Sequence, residues 1–128
     1  MIQLELNQNG TYGMKNKNGN VITGIKGEGE GFSPTELVCA SLSLCMGLTL
    51  DFLIKRDQLP IHDFKVKVDA EKAEDSPSRM KRFDIEVSIA GDIDEKTEKK
   101  LITSAKRGCT IGNTIMHGAE MDVHVVNI

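Results

Sequence analysis

At 128 residues, 27% charged, 39% hydrophobic and with a net charge of −3, the chain has the makeup of one globular domain. A chain this long buries a core without disulfide or metal staples. Neither its charge balance nor any basic run points to a nucleic-acid surface. Met1-Ile2-Gln3-Leu4-Glu5 lacks the basic and apolar regions of a signal peptide, so a cytoplasmic location is expected. In that compartment three cysteines read as free or redox-active thiols rather than a structural framework.

Ile2, Leu4 and Leu6 alternate with Gln3, Glu5 and Asn7, the period of a half-buried strand. Asn9-Gly10 and Asn18-Gly19 are hairpin signals, and residues 1–25 read as an N-terminal three-stranded meander. Gly27-Glu28-Gly29-Glu30-Gly31 is an acidic, flexible connector. Its carboxylates would repel the anion that a phosphate loop cradles.

A central helix is expected over residues 33–57. Ser33 and Glu36 form a capping box, Pro34 suits the first helical position, and Phe32 with Leu37 can staple the cap. No charged side chain lies between Glu36 and Asp51. That run is shorter than the roughly 20 residues a bilayer span requires, so it reads as a helix around which the protein folds. No membrane partner is expected.

Residues 63–128 read as β-β-α-α-β. Phe64, Val66, Val68 and Ala70 alternate with polar residues, as do Phe83, Ile85, Val87 and Ile89. The polar segment between them is a hairpin loop. From Asp92 to Arg107 the period is helical, with Ile93, Thr97, Leu101 and Ala105 on one face. Asp92 and Glu95 serve as a cap-like pair, and Gly108 is the stop. Cys109–Ile115 supplies one or two further turns, and Met121, Val123 and Val125 point inward from a last strand. The order defines an α+β fold with antiparallel sheet. A central helix roughly 36 Å long is too long for so small a sheet to enclose. Gly47 in mid-helix costs about 1 kcal/mol relative to alanine. Both points lead to the expectation of a homodimer, with a second copy pressed against this helix.

Ser33-Pro34-Thr35-Glu36-Leu37 with Cys45, and Cys109-Thr110-Ile111-Gly112-Asn113-Thr114-Ile115, resemble the two signature regions of the OsmC/Ohr family. The resemblance runs along nearly the whole chain. It implies an intertwined homodimer with long helices enclosed by curved antiparallel sheets. It also implies reduction of organic hydroperoxides by a cysteine pair at the dimer interface, with Cys45 attacking and Cys109 resolving. The partners implied are a small hydrophobic peroxide and an external thiol reductant, with neither metal nor organic cofactor.

The chemistry of such a pair is independent of the resemblance. A thiolate attacks the O–O bond and becomes a sulfenic acid, and a second thiol condenses with it to a disulfide. Read alone, Cys45 on an uncharged helix would be an inert buried thiol. Cys39 is read that way, about 120° around the helix from Cys45. Cys109 follows Gly108 at a helix start, where the dipole favours a thiolate, so electrostatics alone leaves the swapped assignment open.

Three departures accompany the resemblance. Peroxidase members carry an arginine in the N-terminal strands, whereas this chain has none before Arg56. Lys15 or Lys17 could bring charge there, without the guanidinium fork. Thr35 stands where those members place a glutamate, and Glu36, nine residues from Cys45, points away from it. Thr110 replaces the proline after the second cysteine. Arg107 is a further candidate for neutralising a thiolate. His62 and His124 read as surface residues, and His117 fits no zinc spacing. A hydrolase or metal site built on Cys109 and His117 ranks last. The alternative from another class is a non-catalytic stress protein binding a small hydrophobic ligand in the dimer cleft.

Overall fold

The computed structural model describes residues 1–25 and 27–127. The elements run β1 (Gln3–Leu6), β2 (Tyr12–Lys15), β3 (Val21–Gly24), α1 (Pro34–Arg56), β4 (Ile61–Lys72), β5 (Met80–Gly91), α2 (Glu95–Gly108) and α3 (Thr110–His117). This is the α+β arrangement with antiparallel sheet. The chain divides into two compact units, residues 1–40 with 70–83 and residues 41–69 with 84–128.

In the first unit β1, β2 and β3 form the expected meander, with Leu4 opposite Met14 and Gly13 opposite Thr23. Each turn closes on a glycine at φ 85°, Gly10 and Gly19, a backbone conformation glycine adopts without steric cost. Asn9 Oδ1 accepts from Thr11 N, and Asn16 Oδ1 accepts from Asn18 N and Asn20 N, which fixes both reversals. The apolar face of β1 differs from expectation. Ile2, Leu4 and Leu6 are all exposed, because nothing described in this chain covers them. The glycine-rich connector is anchored at its far end, where Phe32 N donates to Thr23 O and Ile25 N to Phe32 O. The capping box at the start of α1 forms as read: Ser33 N donates to Glu36 Oε1, and Glu36 N to Ser33 Oγ. Hydrogen bonds to the carboxyl from the Ser33 backbone and side chain hold Glu36 below its ordinary pKa.

β4 and β5 form a two-stranded antiparallel hairpin. Phe64, Val66, Val68, Ala70, Phe83, Ile85, Val87 and Ile89 are half-buried, and the intervening residues are exposed, as the alternation requires. At its tip, in the first unit, Ala73 N donates to Arg79 O, and Arg79 pairs with Asp75.

The core of the second unit is built by α1 and α2. Leu42, Met46, Leu50 and Leu53 recur at helical spacing and are buried, as are Leu101, Ala105 and Cys109. Burial of each such leucine contributes roughly 1.5–3 kcal/mol. The helices approach closely at Gly108, where an added Cβ would lie 3.1 Å from Thr49 Cγ2. α1 ends in a Schellman motif: Gln58 takes φ 51°, Leu59 N reaches Ile54 O, and Gln58 N reaches Lys55 O.

Two sequence expectations are corrected here, the α2 cap and the last strand. Asp94 rather than Asp92 caps α2, accepting from Thr97 N at 2.7 Å, because Glu95 is already inside the first turn. Within this chain Leu44, Leu48 and Phe52 of α1 are exposed, in keeping with a helix too long for one copy's sheet to enclose. Among the described residues no strand forms at Met121–Val125, where Met121, Val123 and Val125 are 85–90% exposed and no described neighbour supplies the ladder a strand needs. At 23 residues α1 is long and apolar enough to cross a bilayer by length and composition alone. Its uncharged stretch from 37 to 50 covers only about 21 Å, short of the ~30 Å hydrocarbon core.

Candidate functional site: the Cys45 and Cys109 thiols

Cys45 lies midway between Leu42 and Thr49 on the covered side of α1. Those two residues locate it against the α2–α3 junction. Leu42 Cδ2 is 4.0 Å from where a Cβ on Gly112 would be, and Thr49 Cγ2 is 3.1 Å from the corresponding point on Gly108. The segment between Gly108 and Gly112 therefore lies over Cys45. Thr49 also donates its hydroxyl to the Cys45 carbonyl at 2.9 Å.

Cys109 ends α2 and begins α3. Its extended backbone, φ −80° and ψ 102°, separates the two helices, and its own N–H donates to Lys106 O. Its sulfur caps α3 by accepting from Gly112 N at 3.4 Å. An added Cβ on Gly112 would sit 3.3 Å from that sulfur, so glycine leaves room for the cap. Cys109 is 1% exposed, while Cys45 is half-buried.

The two thiols act on each other, and their surroundings push them apart in acidity. Cys45 accepts from the Ile111 backbone N–H, the Cys109 thiol and the Thr110 backbone N–H. Together these hold its pKa below the ordinary thiol value against the opposing cost of burial. Burial pushes the Cys109 thiol up. The Gly112 N–H opposes that shift, and the neighbouring Cys45 sulfur adds to it. Negative charge therefore resides first on Cys45. The helix start, which the sequence argument credited to Cys109, presents its free N–H groups to the other sulfur. Among the described residues no basic side chain contributes to either shift.

The remaining candidates have local partners or are exposed. Arg107 is exposed, and its carbonyl accepts from Asn113 Nδ2 at 3.0 Å. Thr114 Oγ1 bonds Thr110 O, and His117 Nδ1 meets Asn113 O at 2.9 Å. Glu36 belongs to the capping box in the first unit, where Lys15 ends β2 and Lys17 lies in the following turn. His62 and His124 are exposed. Among the described residues no group of three or more His, Cys, Asp or Glu could hold a metal ion. Sequence reasoning missed the Thr110 and Ile111 main-chain groups. Their only signal was the helix start itself, which does not say what it faces.

Beside this pair, Leu48, Thr49, Phe52, Leu53, Ser104 and Gly108 line an open groove of about 390 Å³. It begins one helical turn beyond Cys45, at Thr49, and reaches Gly108, next to Cys109. Its walls are mainly apolar.

The chain belongs to the OsmC-like protein family, which matches residues 27–124. Solved structures of similar fold include the OsmC-like protein from Mycoplasma pneumoniae, 17% identical. It covers 92% of this chain and 87% of its own, with a TM-score of 0.82. An organic hydroperoxide resistance protein from Elizabethkingia anophelis is 16% identical over 92% and 89%, with a TM-score of 0.74. The organic hydroperoxide resistance protein OhrB of Bacillus subtilis is 14% identical over 92% of each chain, with a TM-score of 0.70. No curated protein matches the chain.

Proposed function

We propose that this protein is a homodimeric, thiol-dependent reductase of organic hydroperoxides, acting in oxidative stress defence in the cytoplasm. The observation that carries this reading is the pairing of the two thiols at the α2–α3 junction, where Cys109 helps to lower the pKa of Cys45 and Cys45 raises that of Cys109. Membership of the OsmC-like family supports it, as do the printed names of the hydroperoxide resistance proteins that share the fold.

In the first step the Cys45 thiolate attacks the distal oxygen of ROOH. The O–O bond breaks, Cys45 becomes a sulfenic acid, and the departing alkoxide takes a proton to leave as ROH. In the second, the Cys109 thiol displaces water from the sulfenic acid and forms the Cys45–Cys109 disulfide. A dithiol reductant then supplies two electrons and two protons by thiol–disulfide exchange. The groove next to the sulfurs suits an alkyl or aryl R group, which gains by leaving water. The second copy would cover Leu44, Leu48 and Phe52.

The test mixes reduced protein with cumene hydroperoxide and counts free thiols. Two thiols per chain are expected to disappear with one equivalent of peroxide, with Cys45→Ser inert and Cys109→Ser halting at the sulfenic acid. Unchanged thiols and undiminished peroxide over hours would end the enzymatic reading. The same groove favours a second reading, a non-catalytic protein that holds a small hydrophobic ligand. Ligand affinity that survives Cys45→Ser, with no peroxide consumed by the wild type, would establish it.

A further inference from the structure

A disulfide between Cys45 and Cys109 requires α1, which carries one sulfur, to come within bonding reach of the α2–α3 junction, which carries the other. We infer that Gly108 is a positioning residue for this pair: its missing side chain is the space against which the Thr49 methyl packs, and that contact sets how closely α1 approaches the junction. The inference rests on reading Cys45 and Cys109 as a redox pair.

Distances on both flanks of Cys45 support it. A Cβ on Gly108 would lie 3.1 Å from Thr49 Cγ2, tighter than side chains ordinarily pack. Gly108 adjoins Cys109, and Thr49 is one helical turn beyond Cys45 on the same side of α1. On the other flank, a Cβ on Gly112 would lie 4.0 Å from Leu42 Cδ2 and 3.3 Å from Cys109 Sγ, and Leu42 is three residues before Cys45. Cys45 is thereby bracketed by two contacts to the segment that holds Cys109. The two contacts differ: α1 has ordinary room at Leu42 and none to spare at Thr49. Glycine is not required at 108 for its backbone, which lies outside the left-handed region, so space is what it supplies. Thr49 is itself held, its hydroxyl donating to Cys45 O at 2.9 Å. Its methyl cannot turn aside without breaking that bond.

The test crowds the contact and then relieves it. Gly108→Ala adds the methyl group that Thr49 obstructs. Thr49→Ser removes the obstructing methyl and keeps the hydroxyl that bonds Cys45 O. Each protein is equilibrated in mixtures of reduced and oxidised glutathione, and the Cys45–Cys109 disulfide is quantified by peptide mass spectrometry. Glutathione disulfide accepts two electrons and two protons from the thiols, leaving two molecules of glutathione and the protein disulfide. Reduced protein can relieve the clash by moving the helices apart, whereas a bond between the sulfurs holds them together, so the oxidised form bears the cost. Gly108→Ala should therefore lower the equilibrium constant for disulfide formation about tenfold, the scale of one methyl forced into a packed contact. Thr49→Ser and the double variant should both stay within about twofold of the wild type. A glycine with a merely structural role would lower the thermal midpoint of both redox forms alike and leave the constant where it was. An unmoved constant in Gly108→Ala, or a double variant as weak as Gly108→Ala, overturns the inference.

A measurement on unaltered protein covers the case in which Gly108→Ala does not fold. A nuclear Overhauser contact between the Thr49 methyl and the Gly108 α-protons should be present in the reduced protein and persist in the disulfide form. Its absence from either form overturns the inference equally. A wild type that forms no Cys45–Cys109 disulfide at any glutathione ratio would overturn the inference together with the redox pair. Neither readout uses peroxide. Failure of turnover with these results intact would count against the enzymatic reading alone.

Discussion

Leu50 and Leu48 are two residues apart on α1, yet the first is completely buried and the second is 63% exposed. The covered stripe, Leu42–Met46–Leu50–Leu53, carries Cys45 beside it and meets α2 and the start of α3. The open stripe, Leu44–Leu48–Phe52, is equally apolar and has no cover in this chain. Hydrophobicity thus marks surface to be removed from water without naming what removes it. The same lesson holds at the termini. Among the described residues eight hydrophobic side chains are buried, while seventeen large ones are exposed, among them Met1, Ile2, Leu4 and Leu6 at one end and four at 121–126 at the other.

The comparison can be broken most directly at Leu50. Leu50→Ala should lower stability by about 2–5 kcal/mol in urea unfolding, through lost burial and the cavity left behind. A loss below about 1 kcal/mol would mean the covered face is poorly packed. Leu48→Lys probes the open face through association. Placing a charge in the proposed dimer contact should weaken self-association by about 3 kcal/mol, roughly a hundredfold in Kd, seen as a shift toward monomer in sedimentation. Identical sedimentation of variant and wild type at every concentration would leave the open face without its proposed partner.

Gly47 sharpens the boundary between the faces. An added Cβ would meet only Phe64 Cε2, at 3.7 Å, an ordinary contact. Gly47→Ala should therefore stabilise the chain by about 1 kcal/mol. A loss instead would reveal a neighbour at Gly47 that the single chain lacks, and would restore the packing reason expected from sequence. The smallest effect lies at the end of α1, where Gln58 adopts φ 51°. Gln58→Gly should add about half a kcal/mol by relieving that backbone strain, offset by its greater freedom in the unfolded state. A thermal midpoint no higher than the wild type's would contradict this.

Local patterns carried most of the fold. The Ser33–Glu36 box, the two Asn-Gly turns and the period-2 runs of β4 and β5 each depend on neighbours a few residues away, and each was legible. The Asp94 cap was misplaced by two residues because Asp92 and Asp94 offer the same side chain at adjacent helix entries. The last strand was misread for a different reason. Alternation at Met121–Val125 gives a strand its faces, but only a paired edge gives it a ladder. At the site, the two cysteines could be named from motifs, and the helix start behind Cys109 could be read. What remained hidden was the direction of its N–H groups, which depends on Gly108 and Gly112 letting α1 approach.

The Cys109 sulfur has a second occupation as the cap of α3. An eight-residue helix is too short to persist by its own backbone bonds alone. Any reagent that captures this sulfur, whether oxidant, alkylator or metal, must compete with the amide of Gly112 for it. Thiol chemistry and secondary structure thus meet at one atom, and the helical content of residues 110–117 becomes a gauge of what has happened to Cys109.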